Sequence, residues 1–378
     1  MRTARICARS LALVSAFALP AGPAHAANHR VLAVPRDFSS IQSAVDAASP
    51  GDTVSVAAGT YTEQVVVNKD LDLHGAGATA TVIQAPAVLA AYGKDTRDDR
   101  PLAAIVRVGH GASVRLTGLA VSGPVPCTAV AEGIGVVQAA SLDVSDLRVA
   151  RLVAPGCSGE AYGIVFGVAP SYAIEGVPGG TTASGRVSHA TVDTYQSAGL
   201  VVVGSYGRAP SSVALTDNTV IAGTPVSPAD QVGIWVRLNA VGQVTGNTVT
   251  GGVCTYDGCG FDPIAQYQAV GAVVEAADGS VVSGNHLSGT DVGLFDNASN
   301  VTVSGNRFDN DTIGLVVFDV DGVTKGNTIT GGRVGIGVAA ATRDASEASN
   351  GDNIGGVSDS TTQTFQCCGY HATVAVRR

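Results

Sequence analysis

Residues 281–340 read VVSGNHLSGT DVGLFDNASN VTVSGNRFDN DTIGLVVFDV DGVTKGNTIT GGRVGIGVAA, and two motifs recur in them with one step. The turn Ser283-Gly284-Asn285 returns as Ser304-Gly305-Asn306 and Lys325-Gly326-Asn327, each Asn 21 residues after the last. Glycine followed by alternating aliphatics returns at Gly293-Leu294, Gly314-Leu315 and Gly335-Ile336, again 21 residues apart. Two motifs sharing one period define a structural repeat. Between them apolar residues alternate, as in Val301-Thr302-Val303, which is the period of a strand with one buried face and fits no helix.

A coil of 21 residues holding short strands and an Asn turn predicts a parallel β-solenoid, whose rungs lie ~4.8 Å apart with like residues stacked. Asn suits the turn because it tolerates the left-handed backbone conformation and its amide can bond to the Asn above and below. An antiparallel sandwich gives no reason for a fixed step. Upstream the grammar continues through Thr245-Gly246-Asn247, Thr216-Asp217-Asn218, Gly271-Ala272, Gly233-Ile234 and Gly199-Leu200, then more loosely through Gly163-Ile164 and Gly133-Ile134. We therefore expect one all-β domain over residues 27–378, a solenoid of about ten coils, most regular over 199–340.

The ends of such a stack need covers, because a terminal coil exposes strand edges and an open core. Asp37 as N-cap, followed by Phe38, Ile41, Val45 and Ala48 at helical spacing, predicts a short capping helix over 37–49. At the far end, residues 341–364 are expected to fold back as the second cap, before a final strand over 372–376.

Of 378 residues, 45% are apolar, 14% charged and 48 are Gly, which excludes a disordered tail or a coiled coil. The net charge of -9 argues against a nucleic-acid partner. Residues 1–26 carry Arg2, Arg5 and Arg9, an apolar run from Leu11 to Leu19 and the small-x-small end Ala24-His25-Ala26, the pattern of a cleaved secretory signal. No later stretch reaches ~18 uninterrupted apolar residues, so we expect a secreted or periplasmic monomer that is not held in the membrane. Six cysteines then remain, Cys127, Cys157, Cys254, Cys259, Cys367 and Cys368, an even number that suits an oxidising compartment and leaves the pairing open.

The runs Asp37-Phe38-Ser39-Ser40-Ile41-Gln42-Ser43-Ala44-Val45, Pro50-Gly51-Asp52-Thr53-Val54, Gly59-Thr60-Tyr61-Thr62-Glu63 and Leu71-Asp72-Leu73-His74-Gly75 resemble the opening of pectin-methylesterase-type, right-handed parallel β-helix proteins of the pectin-lyase-like superfamily. The resemblance implies that fold, and a polysaccharide bound in a groove along one parallel sheet between loops. It implies no single activity, since the same opening precedes lyases, esterases, epimerases and non-enzymatic members.

Loop length points to where a groove would lie. From turn Asn to the next strand Gly there are 15 residues after Asn218, 24 after Asn247 and only 8 after Asn285, Asn306 and Asn327. Long insertions, which usually carry function, fall at 85–101, 122–132, 153–162, 167–185, 221–231 and 251–269. If Ile234 and Val236 face inward, Trp235 and Arg237 face outward, followed on later rungs by Val273, Glu275 and Phe295. An indole beside Arg and Glu is a sugar platform with a clamp for a uronate carboxylate.

The loop Cys254-Thr255-Tyr256-Asp257-Gly258-Cys259-Gly260-Phe261-Asp262-Pro263 adds carboxylates and aromatics. Its Gly260-Phe261-Asp262-Pro263 is similar to part of the Tyr-Gly-Phe-Asp-Pro-His motif of mannuronan epimerases, with Cys259 and Ile264 in place of the Tyr and His. The esterase and polygalacturonase motif sets are incomplete, Gly109-His110-Gly111 being the one fragment of the latter.

Elimination asks less of a sequence, namely a base at the α-carbon and either Ca²⁺ or Arg to neutralise the uronate. The expectation is thus a pectate-type uronan lyase, less so an epimerase, esterase or glycoside hydrolase, acting on an acidic polysaccharide. Arg237, Glu275 and Asp262 would be its catalytic groups, Trp235, Phe295 and Tyr256 its substrate contacts, and Asp257, Asp262 and Glu275 its ligands for Ca²⁺. A second charged loop, Lys94-Asp95-Thr96-Arg97-Asp98-Asp99-Arg100, reads more simply as a solvated turn. The alternative is a non-catalytic β-helix that binds carbohydrate at the envelope or surface.

Overall fold

A computed structural model describes residues 29–127, 129–154, 160–168, 172–174, 181–222, 231–253, 269–318, 323–339 and 349–364. A regular coil is three strands, as in Val281–Ser283, His286–Ser288 and Val292–Asn297. The first two join a 21-stranded sheet and the third a 13-stranded one. The strands of the smaller sheet are β1 (Val65–Val67), β2 (Gly93–Asp95), β3 (Pro101–Val108), β4 (Val130–Val136), β5 (Ala161–Phe166), β6 (Tyr172–Ile174), β7 (Ala198–Val203), β8 (Gln231–Arg237), β9 (Ala269–Glu275), β10 (Val292–Asn297), β11 (Ile313–Phe318), β12 (Val334–Ala339) and β13 (Ser360–Thr364).

Omitting β1, β2 and β6, the other ten strands stack in parallel from β3 to β13. Like residues stand in register, so that Leu200, Ile234, Ala272, Leu294, Leu315 and Ile336 form one interior column. Parallel strands joined by crossovers wind right-handed, and the fold is a right-handed parallel β-helix. One continuous interior cluster runs from Leu32 to Val338.

Both repeat motifs have a packing cause. A Cβ at Gly133, Gly163, Gly199, Gly233, Gly271, Gly293 or Gly314 would come within 2.3–2.9 Å of the next rung's glycine carbonyl. It would also strike an apolar side chain of the facing wall, such as Val249 at Gly233 or Leu287 at Gly271. The glycine column therefore lets the other sheet fill the bend.

The asparagines form a buried ladder. Asn285 Nδ2 donates to Asn306 Oδ1 at 2.9 Å and Asn306 Nδ2 to Asn327 Oδ1 at 3.0 Å, while each Oδ1 also accepts the backbone N–H of the Asn before it. Asn218 and Asn247 extend the ladder on one side, and Asp352, which accepts from Asn327, ends it on the other. The left-handed residue is the one before each Asn, at Asp217, Gly246, Gly284, Gly305 and Gly326. The Asn itself serves through its amide, and the expectation that it takes the left-handed conformation is corrected.

Two further boundaries differ from expectation. The helix α1 spans Ile41–Ala47 with Ser40, not Asp37, as N-cap, because Ser40 and Ser43 exchange the two bonds of a capping box. Asp37 instead pairs with Arg36. The Glu63 carboxylate accepts the N–H groups of Ile41 and Gln42, and Asp52 accepts those of Arg30 and Ser49. These acids of the opening motifs are structural, which is why the opening carries no information about chemistry.

At the other end residues 349–364 do not fold back. Ser349–Asn350, Asn353–Gly355 and β13 add another parallel coil, since Asp352 can take the asparagine's place as acceptor. The expected strand over 372–376 and residues 1–26 lie outside the described residues. Cys127 is disulfide-bonded, and Cys157, Cys254, Cys259, Cys367 and Cys368 lie outside the described residues.

Candidate functional site

Strand alternation on the smaller sheet is as expected, with Ile234 and Val236 in the interior cluster and Trp235 and Arg237 outside it. The outer face is not an open groove from end to end, however. Val270, Val273, Val292, Ile313, Val316 and Val334 also face outward and are buried in a second apolar cluster. Phe295 packs against that layer, its ring 4.9 Å from Phe318. A side chain can thus point away from the helix interior and still lack water, which alternation alone does not reveal.

The Arg237 guanidinium carbon lies 4.0 Å over the Trp235 ring, and its Nη2 is 3.5 Å from Glu275 Oε2. One face of the indole is thereby covered by the guanidinium. Trp235 Nε1 and Arg237 Nε are buried with no hydrogen-bond partner among the described residues. Tyr256, Asp257 and Asp262 lie outside the described residues. Among the described residues no group of three His, Cys, Asp or Glu could hold a metal ion. Glu275, the one described member of the expected Ca²⁺ set, faces the Arg237 guanidinium.

Trp235 and Arg237 instead close one side of a shallow recess that crosses β3, β4, β5, β7 and β8. Glu132 and Tyr162 line its other side. They are neighbours in one outward column, Ala104, Glu132, Tyr162, Ala198. Glu132 is only 3% exposed. Tyr92 reaches it from the 85–101 insertion and donates its hydroxyl to Glu132 Oε2 at 2.5 Å. The next outward position on β4 is Gly135, where a Cβ would lie 2.1 Å from Glu132 Oε2 and 3.1 Å from the Tyr92 oxygen. Glycine there makes the notch that the pair occupies.

Burial raises the Glu132 pKa to about 8, against a smaller lowering by the Tyr92 hydrogen bond. A carboxyl that keeps its proton at neutral pH is a proton donor. Beside it, the Tyr162 hydroxyl donates to Glu160 Oε2 at 2.6 Å, and Glu160 Oε1 accepts from Arg100 Nη2 at 2.8 Å. The charged loop that supplies Arg100 is more than a solvated turn. Asp95 within it is fully buried and held by Arg97, whose hydrogen bond is the main cause keeping the carboxyl below its usual range.

Sequence reasoning did not select Glu132, Tyr92, Tyr162 or Glu160. Glu132 left one signal, as the sole charged residue in the apolar run Val130-Ala131-Glu132-Gly133-Ile134-Gly135-Val136.

Residues 177–350 match the family model for a right handed beta helix region. No curated protein matches the sequence. Among solved structures, a GH136 lacto-N-biosidase from Eubacterium ramulus superposes with a TM-score of 0.59 at 12% identity, over 87% of this chain and 68% of that one. The DFA-IIIase of Arthrobacter chlorophenolicus A6 without its lid gives 0.51 at 13% identity, over 89% and 92%. The mannuronan C-5 epimerase A-module of AlgE6 from Azotobacter vinelandii gives 0.46 at 15% identity, over 87% and 92%. At these identities the likeness is one of fold.

Proposed function

We propose that this right-handed parallel β-helix protein is exported, acts on an acidic polysaccharide and cleaves it by β-elimination at a uronate. The observation that carries this reading is the buried Glu132, hydrogen-bonded by Tyr92, in the same recess as Arg237. Carbohydrate chemistry on this scaffold is in keeping with the likeness to a lacto-N-biosidase. The disulfide at Cys127 is in keeping with an oxidising compartment.

Elimination has three requirements. The uronate carboxylate must meet positive charge, the C5 proton must be removed, and the oxygen leaving C4 must be protonated. Arg237, three rungs from Glu132, pairs with a carboxylate further along the polymer in exchange for Glu275, and Arg100, which holds Glu160 beside Tyr162, is the cation nearest the reacting uronate. The Tyr162 oxygen, passing its own proton to Glu160, takes the C5 proton. The C5–H electron pair becomes the C4–C5 double bond, the C4–O pair leaves with oxygen, and Glu132 protonates it. Glycoside hydrolysis ordinarily needs two carboxyl groups flanking the bond, and among the described residues that line the recess Glu132 is the only one.

A second reading, a non-catalytic binding module, is favoured by Arg237 being already stacked on Trp235 and paired with Glu275. Mass spectrometry of digests of polygalacturonate, alginate and glucuronan separates the readings. Elimination yields a fragment lighter than the hydrolytic one by a water, and a binding module leaves the polymer intact.

A further inference from the structure

The larger sheet carries a second recess, of different chemistry. Arg115, Thr117, Asp143, Ser145, Arg186 and Ser188 line it. They come from the strands Ser113–Ser122, Ser141–Leu152 and Ser184–Ser188, which follow β3, β4 and β5 along the chain. Along those strands they alternate with Val114, Leu116, Leu142, Val144 and Val187 of the interior cluster, and so face outward. Register sorts them into two columns parallel to the helix axis. One reads Asp72, Arg115, Asp143, Arg186 and the other His74, Thr117, Ser145, Ser188.

Successive members of a column stand one rung, ~4.8 Å, apart, close enough for Arg and Asp to pair. Elsewhere on this sheet charged neighbours do pair, Arg148 with Asp193 at 2.7 Å and His286 with Asp309 at 2.8 Å. Here neither Arg115 nor Arg186 makes an ion pair or a side-chain hydrogen bond among the described residues. Both guanidinium forks keep their donors open, and Asp143 between them keeps its acceptors. In the other column Thr117 Oγ1 lies 2.8 Å from His74 Nδ1, and the Ser188 hydroxyl donates to the Val144 carbonyl at 3.3 Å. Ser145, between those two, is left open.

A guanidinium takes a carboxylate through two parallel N–H bonds. The two arginines stand two rungs, ~9.6 Å, apart along the axis, too far for one carboxylate to bridge, so the matching ligand carries carboxylates in series. Asp143 accepts only and asks for hydroxyl donors, while Ser145 takes either part. Carboxylates in series with hydroxyls between them are the chemistry of a polyuronate.

We infer that this face of the larger sheet binds a second segment of the acidic polysaccharide, laid along the helix axis with a carboxylate on each arginine and ring hydroxyls on Asp143. The inference rests on the proposed acidic-polysaccharide partner and adds a binding site away from the reaction. The one carboxyl that lines this recess, Asp143, is exposed, unlike Glu132, so the site holds polymer without cleaving it. Unlike Arg237, its arginines have no pair to give up first. Two sites on one helix favour a polymer over an oligosaccharide that meets only one of them.

The test measures binding of the full chain to immobilised polygalacturonate, alginate and glucuronan, for wild type, Arg115→Ala/Arg186→Ala and Asp143→Ala. The expected result is binding of wild type to one of these polymers and an affinity lower by about tenfold or more in the double variant. All three side chains are exposed, so the circular dichroism of both variants should match wild type. Asp143→Ala separates a built site from general attraction of a polyanion. Loss of an acid strengthens general attraction, whereas loss of the acceptor for ring hydroxyls weakens binding, and weaker binding is expected. Undiminished affinity in the double variant, or an affinity of Asp143→Ala at or above wild type, overturns the inference whether or not the protein is a catalyst. Weakened binding in both variants with no product from wild type overturns elimination and leaves the second site standing. A wild type that binds none of the three polymers overturns the site and the acidic-polysaccharide reading together.

Discussion

The Tyr92 hydroxyl donates to Glu132 Oε2 at 2.5 Å, with both side chains buried and Gly135 opening the notch they share. One carboxyl oxygen is thereby engaged, and burial favours the protonated form of the group. Activity that needs this proton is expected to decline as pH rises through about 8. Because the Tyr92 hydrogen bond lowers the pKa, its loss in Tyr92→Phe should move that decline to higher pH. The pH profile of kcat/KM checks this, and a shift to lower pH would count against the assignment.

Glu132 should also make the protein less stable in base. Its folded pKa of about 8 lies above its ordinary 4.5, so between these values the native state holds a proton that the unfolded chain has released. Stability conferred by the protonated form is full below the unfolded pKa and is lost as pH rises through the folded one, on the order of 5 kcal/mol if burial is fully retained. Glu132→Gln keeps an acceptor for Tyr92 and never ionises. It is expected to unfold at higher temperature than wild type at pH 9 and near the wild-type value at pH 5, while losing about 10²-fold or more of the activity. Thermal melts at the two pH values test the first part and initial rates the second.

Glycines of the smaller sheet should behave differently according to the face they occupy. Gly135→Ala places a methyl against the Glu132–Tyr92 pair, so activity should drop about tenfold or more with the fold retained. Gly271→Ala drives a methyl to 2.5 Å from the Gly293 carbonyl oxygen and 2.8 Å from Leu287, and should lose about 2–3 kcal/mol of stability instead. Circular dichroism melts beside activity assays distinguish the two.

The asparagine ladder is expected to be a principal source of stability in the regular coils. Asn306→Ala would leave the Asn285 N–H and the Val282 carbonyl without their partners, in a site that excludes water. The expected loss is about 2–4 kcal/mol, read as a lower urea midpoint. A neutral result would mean that water reaches the turn.

The helix, its repeat and its inward and outward alternation were legible because every coil must satisfy the same neighbours, so the Gly and Asn columns recur visibly. The site was legible only in part. Trp235, Arg237 and Glu275 do meet, as their register implied, but one face of Trp235 is covered by Arg237. Phe295 lies in an apolar layer that alternation could not distinguish from an open surface. Glu132 was missed because its chemistry comes from burial under Tyr92, supplied by an insertion 40 residues earlier whose folding carries no periodic signal. A solitary acid in an apolar strand is the kind of local inconsistency that marks such sites.

The most direct test of the central claim is the ultraviolet absorbance of unsaturated uronate formed from polygalacturonate, alginate or glucuronan by the wild-type chain and by Glu132→Gln and Arg237→Ala. The account requires a rising trace with one of these polymers for the wild type, reduced about 10²-fold or more in both variants. A flat wild-type trace on all three, or a trace unchanged in Glu132→Gln, would contradict it.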